Sequence, residues 1–249
     1  KKKKNEAAPT IRPTNGHWPP DMENTPPHYG VISQIVTLAF AKKDIPVSYG
    51  FFPWSRARLL AEKGRWDGSV AWTCRKKLLK HFHFSDPIVA HNYALFHRTS
   101  MDFDWEDVKD LESYRIGLTQ DYNYGEEFEE AVAAGTISAD VTTSDESNFR
   151  KLAAGRIDLF PMEPAVGMGM LKELGLSDKI TFHTTPLQSD YLYLTLSKLV
   201  PESERYLEKF NEGLSELRAS GRLEELITTS LPDLPARYLV VEDEVQCVE

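Results

Sequence analysis

Between Val31 and Phe40 the apolar side chains fall at positions 31, 32, 35, 36, 39 and 40, the spacing of one buried helix face. Pro46–Phe52 then reads as a short strand, Ser55–Lys63 as a helix, and Trp66–Thr73 as a buried strand. Gly64 stands where a helix stop belongs. The same order returns later: Asn148–Ala154 reads as a helix, Gly155 as its stop and Arg156–Met162 as a strand. Gly64-Arg65-Trp66-Asp67 and Gly155-Arg156-Ile157-Asp158 share a glycine followed by Arg-x-Asp, about ninety residues apart. Coincidence is the bland explanation, because many helix–strand joins use glycine; two similar α/β lobes explain more. Arg115–Leu118 reads as a further strand, and Gly125–Ala134 as a helix with an acidic first turn. Val200–Ser220 is a long amphipathic helix with Tyr206, Phe210, Leu214 and Leu217 on one face, Pro201 at its start and Gly221 after its end. The acidic tail Leu234–Glu249 is expected to pack as a strand or strap.

A length of 249 residues suits one large α/β domain or two modest lobes, and 41% hydrophobic residues can fill a core. The formal net charge of -9 gives a general nucleic-acid-binding role no electrostatic support. No apolar run approaches the roughly 20 residues of a membrane span. The chain opens on Lys1 with neither an initiator Met nor a signal peptide, as expected of either a processed form or an excised piece, and residues 1–9 read as a flexible leader. Cys74 and Cys247 either pair in an exported protein or stand as separate thiols, and no zinc-type cysteine spacing is present. His81, His83, His91 and His97 match no metal motif, and the acidic run from Asp102 to Asp110 reads as solvated surface. Neither a Walker A loop, a Gly-x-Gly-x-x-Gly loop nor a Gly-x-Ser-x-Gly elbow occurs. No cofactor is implied.

Several short motifs carry a family resemblance. Trp18-Pro19-Pro20, Gly30, Pro53-Trp54-Ser55-Arg56-Ala57, Gly64-Arg65-Trp66-Asp67-Gly68 and Phe84-Ser85-Asp86-Pro87 resemble the first lobe of family 3 bacterial extracellular solute-binding proteins, the polar-amino-acid receptors of ABC importers. Leu111, Ile116-Gly117, Tyr124-Gly125, Leu152–Asp158 and Ala219–Leu223 resemble later parts of that family, in the same order, so the likeness covers roughly residues 10–230. It implies an α/β type II periplasmic-binding-protein fold of two lobes joined by a two-strand hinge. Lobe 1 would take residues 10–95 plus 190–249 and lobe 2 residues 96–189, with crossovers near Tyr93–Thr99 and Pro186–Tyr193. The implied protein is periplasmic and monomeric, closes on a small polar, amino-acid-like ligand, and serves a membrane permease or a sensor partner.

Ligands of open α/β sheets bind beyond the carboxyl ends of the strands. That rule selects the Trp18 region, Phe51–Ser55, Ala71–Arg75, Thr119–Tyr124 and Met162-Glu163. Trp54 is the leading aromatic candidate: the resemblance places an aromatic near it against the ligand's side chain, whereas packing on its own lobe's core is the alternative. Trp18, Trp72 and Thr73 belong to the same face. The resemblance makes Glu163 the acceptor for a ligand ammonium, against the alternative of a solvated loop carboxylate between Pro161 and Pro164. It also implies that backbone N–H groups in the segment Gln120–Tyr124 capture a ligand carboxylate at a helix N-terminus. Here Asp121, Tyr122, Asn123 and Tyr124 replace the family's small residues; Asp121 can cap the helix instead, and either tyrosine can serve as a wall or hydroxyl donor. Arg75 is the candidate for the family's carboxylate-binding arginine, about one helical turn nearer the strand than usual; a basic helix start is the alternative. The rival functions are a dehydratase-type enzyme on the same fold, which needs a histidine near Glu163, and the sensing module of a signalling protein.

Overall fold

A computed structural model describes residues 9–120 and 122–231. The Lys1–Lys4 run, Asp121, the tail from Leu234 and Cys247 lie outside the described residues. The chain divides into two compact units. The first joins the chain up to Ala90 to the chain from Tyr191, and the second is His91–Asp190.

The first unit is built from β1 (Pro13–Asn15), α1 (Val31–Ala41), β2 (Gly50–Phe51), α2 (Trp54–Glu62), β3 (Gly68–Trp72), β4 (Phe82–Phe84), α6 (Ser203–Ala219) and α7 (Arg222–Ser230). Its sheet has β1 between β2 and β3, parallel to both. The last residues of β9 (Ile180–Ser197) run antiparallel to β3 and β4. The periodic face of α1 does what its spacing predicts: Ile35, Val36, Ala39 and Phe40 are fully buried. Phe40 meets Phe210 of α6 with ring centroids 5.2 Å apart. The two helices approach so closely that a Cβ on Gly213 would fall 2.0 Å from the carbonyl oxygen of Ala39.

The second unit holds β6 (Arg115–Thr119) parallel to β7 (Ser138–Thr142), and β5 (Val89–Arg98) antiparallel to β8 (Phe160–Met162). A parallel bridge, Ile116 to Leu159, ties β6 to the approach to β8. Its helices are α3 (Glu126–Ala133), α4 (Asp145–Ala153) and α5 (Pro164–Leu174). Phe149 packs edge-on to Phe96 and to Phe160 at 5.3 and 5.0 Å.

The repeated Gly-Arg-x-Asp segments perform the same task in both units. Gly64 and Gly155 end their helices at φ 66° and 70°, the left-handed region where a side chain is disfavoured. Asp67 then accepts the backbone N–H of Arg12 at 2.7 Å and returns its own N–H to the Arg12 carbonyl at 2.9 Å. Asp158 does the same with Arg115, at 2.9 and 2.7 Å. Each aspartate thereby fixes the start of the strand whose far end bears candidate site residues. Asp158 also pairs with Arg98 and Arg115, and the Arg115 hydrogen bond above all holds its carboxyl down at about 2.

Three sequence expectations change. The strand expected over Pro46–Phe52 shortens to Gly50–Phe51. Arg75 begins a run of turns, with the Leu78 N–H bonded to the Arg75 carbonyl, and starts no regular helix. Pro164 opens the eleven-residue helix α5, so the alternative of a solvated loop carboxylate at Glu163 gives way to a helix start, whose first turn needs no proline N–H.

Candidate functional site

In the first unit the carboxyl ends of β1, β2 and β3 carry an aromatic face. Pro53 caps α2 and sets Trp54 at its first position. The Trp54 ring lies directly over Gly16, just past β1: a Cβ there would come within 2.2 Å of the indole. Trp72, the last residue of β3, meets Trp54 edge-on at 5.6 Å and 86°. A register shift between Val70 and Trp72, with Ala71 at φ 65°, bends the strand there. Bulges of this kind re-aim the side chains around them.

Buried polar groups fix the aim of Trp72. Its Nε1–H donates to Ser69 Oγ at 2.7 Å, the Thr14 hydroxyl donates to the same oxygen at 2.8 Å, and Thr195 Oγ1 donates to the Ser69 carbonyl at 2.8 Å. Ser69→Ala leaves the Trp72 indole without its acceptor, while the Thr14 hydroxyl keeps the Ala57 carbonyl at 2.9 Å. A loss of about 2 kcal/mol, seen as a lower urea midpoint together with altered tryptophan emission, is the expected outcome.

The remaining candidates of this unit are less committed to one face. Trp18 and Trp54 are half-buried and both pack against the unit's core, so the packing alternative describes part of each ring. Trp18 closes a small bridge with Met22. Thr73 is half-buried directly after β3. The Arg75 guanidinium is half-buried and donates to the neighbouring Cys74 carbonyl at 2.9 Å. Cys74 is buried in a disulfide rather than present as a thiol.

The second unit gathers its candidates around the end of β6. Asp145, in the first turn of α4, accepts the Thr119 hydroxyl at 2.5 Å and the Tyr122 hydroxyl at 2.7 Å. Asn148 donates to Thr119 Oγ1 at 3.2 Å. Tyr124 is buried, its hydroxyl accepts the Thr119 N–H at 2.8 Å, and burial pushes its pKa well up. It belongs to the core beneath the face. Tyr93 of β5 packs against Tyr124, Tyr122 and His91 at 5.2, 6.2 and 5.2 Å. Asn123 is exposed, and its side-chain oxygen accepts the Gly125 N–H at 3.0 Å.

Glu163 is neither solvated nor in a loop. It is the N-cap of α5, 6% exposed, and its Oε2 accepts the Val166 N–H at 2.7 Å. Desolvation pushes its carboxyl up to about 7, opposed by hydrogen bonds from the Val166 and Ala165 N–H groups. The antiparallel register Ala94–Met162 carries Tyr93 alongside it, and Tyr93 senses the charges of both Asp145 and Glu163.

Sequence reasoning missed Ser69 in the first unit, and Tyr93, Asp145 and His91 in the second. Asp145 follows Ser144, and a serine–acid pair at a helix start was the available signal. Tyr93 has no local signal, since only the β5–β8 register gives it Glu163 as a neighbour. Among the described residues, no three His, Cys, Asp or Glu side chains converge as metal ligands, and no helix is long and apolar enough to cross a membrane.

The sequence matches no family model and no curated protein. Solved structures do match in fold. A histidine kinase sensor domain with similarity to periplasmic binding proteins shares 20% identity at a TM-score of 0.70, over 90% of this chain and 97% of that one. Substrate-binding domain 2 of Lactococcus lactis GlnP, in its open conformation, shares 16% at 0.69, over 92% and 98%. The substrate-binding protein of an amino acid ABC transporter shares 16% at 0.67, over 91% and 100%. At such identities the likeness establishes the fold: this chain has the α/β periplasmic-binding-protein fold that its motifs resemble.

Proposed function

We propose that the chain is an extracytoplasmic solute-binding protein that captures a small polar ligand related to amino acids and delivers it to an ABC importer. The observation that carries this reading is the buried, uncompensated carboxylate of Glu163. It stands beyond the carboxyl end of a strand in a fold shared along nine-tenths of the chain with substrate-binding proteins. Within the first unit the indole faces of Trp54 and Trp72 are candidates for an apolar ligand group, and within the second the α5 N-cap is the candidate acceptor for an amino group. Binding without turnover fits an arrangement of fixed acceptors and rings. Export with removal of a signal peptide and a monomeric state belong to the same reading.

One observation favours a second partner. The kinase sensor domain matches as well as the transport proteins do, so the same ligand-binding chain would serve a signalling protein. Reconstitution with a candidate permease, or the reading frame around this chain, separates the two.

The test is a thermal-shift panel of amino acids, small peptides, amines and organic acids. A true ligand at a hundredfold excess over its Kd stabilises the folded state by about 3 kcal/mol and raises the midpoint accordingly. Trp54→Ala should cost that ligand about tenfold in affinity, or about 1.4 kcal/mol, by calorimetric titration. A panel in which no compound moves the midpoint argues against the reading.

A further inference from the structure

We infer that the group held by the second unit is an organic cation without an adjoining carboxylate, so that the ligand class is an amine or guanidinium compound rather than a zwitterionic α-amino acid. This rests on the receptor reading above and narrows it.

The hydrogen-bond inventory of the unit points this way. A carboxylate captured at the start of α3 needs free N–H groups, and those of Tyr124 and Gly125 are taken. Tyr124 donates to Glu129 Oε1 at 2.9 Å and Gly125 to Asn123 Oδ1 at 3.0 Å. The two N–H groups that lead into the helix are thus occupied, and Glu126, Glu127 and Glu129 set three negative charges in its first turn. An incoming carboxylate meets repulsion where a helix N-terminus would otherwise attract it. The hydroxyl donors beside it are spent as well, because Thr119 and Tyr122 both give their protons to Asp145. The cations Arg98 and Arg115 are tied to Asp158 at the opposite end of β6.

What the unit retains is acceptor and π surface. Glu163 has only backbone N–H partners and no ion pair among the described residues. Tyr93 lies along it, and the half-buried Tyr122 ring stands 6.2 Å from Tyr93. A buried carboxylate beside tyrosine faces complements an ammonium or guanidinium group and offers a carboxylate nothing. Because burial holds the Glu163 carboxyl near neutrality, a bound cation that ionises it will release a proton to solvent.

The test uses the full chain and three pairs of compounds: agmatine against arginine and cadaverine against lysine, which differ by the carboxylate, and choline against glycine betaine, in which a hydroxymethyl group replaces it. Calorimetric titration should show the carboxylate-free member of at least one pair binding about tenfold or more tightly than its partner. Run at about pH 6.5 in two buffers of different ionisation enthalpy, that titration should report proton release, and Glu163→Gln should abolish it. Gln keeps an acceptor for the α5 cap, so the variant should fold. Glu129→Ala, which frees the Tyr124 N–H and removes a charge, should narrow the preference by strengthening the carboxylate-bearing member. Equal or tighter binding of the amino acid or betaine in every pair where binding occurs overturns the inference and leaves the receptor reading intact. Absence of binding across all pairs, with a ligand of another class raising the midpoint, overturns the inference alone. No midpoint shift from any compound overturns both.

Discussion

Gly213→Val should lower the unfolding free energy by about 3 kcal/mol, read as a fall in the denaturant midpoint at unchanged slope. The cause is backbone against backbone. A Cβ at position 213 would lie 2.0 Å from the Ala39 carbonyl oxygen and 2.7 Å from its carbon. Those atoms belong to α1 and cannot rotate aside as a side-chain tip would. Relief requires α1 and α6 to part, and parting them opens the contacts of Phe40 with Phe210 and Tyr206. Gly169 is the internal control. It lies in α5, is exposed and has nothing within 4 Å of its would-be Cβ. Gly169→Ala should therefore gain about 0.5–1 kcal/mol from helix propensity and reduced unfolded-state freedom. Equal effects at the two positions would contradict the close helix approach.

The second large effect is a dependence of ligand-free stability on pH that Glu163 imposes. Its carboxyl titrates at about 7 in the folded chain against an ordinary 4.5. Below about pH 4.5 both states hold the proton and the group contributes no slope. Between 4.5 and 7 the unfolded chain has released it while the folded chain keeps it, so stability falls as pH rises. Each unit is worth about 1.4 kcal/mol, for a total near 3 kcal/mol, and above 7 the loss levels off. His97 acts in the opposite direction. Burial lowers its pKa, so the folded chain binds protons less readily and gains stability as pH rises from its lowered folded value to the ordinary imidazole value, above which the gain levels off. The difference between the unaltered chain and Glu163→Gln cancels that contribution. Urea denaturation of both from pH 4 to pH 8 should give curves that converge at the acid end and separate by about 3 kcal/mol at the alkaline end. Parallel curves would mean that Glu163 is solvated.

Both expectations rest on facts that were unequally visible along the chain. Gly213 is one residue of an amphipathic helix whose apolar face the spacing of Tyr206, Phe210, Leu214 and Leu217 already outlines; nothing local says that Ala39 presses on it. Glu163 was picked out as an acceptor, yet the prolines flanking it suggested a loop. Pro161 in fact sits inside β8 and Pro164 at the first position of α5, so the same two residues that hinted at solvent are buried within regular elements. Arg75 went the other way. Its sequence neighbourhood suggested a helix start, and the chain turns instead, leaving the guanidinium against the Cys74 carbonyl.

Periodicity and chain-local chemistry were enough for α1, for the glycine stops at 64 and 155, for the paired Arg-x-Asp segments and for the aromatic residues at strand ends. The helix face and the glycine stops depend on interactions within about one or two turns of the backbone, which neighbouring residues control, whereas the repeat only marked Asp67 and Asp158, whose bonds to Arg12 and Arg115 join distant segments. The α/β architecture followed from their order. The tertiary structure alone decided which donors and acceptors are already used. That Asp145 takes the protons of Thr119 and Tyr122, and that Glu163 is desolvated beside Tyr93, are outcomes of segments brought together from far along the chain. Desolvation and hydrogen-bond satisfaction are set by every atom around a group, and sequence spacing carries no record of those atoms.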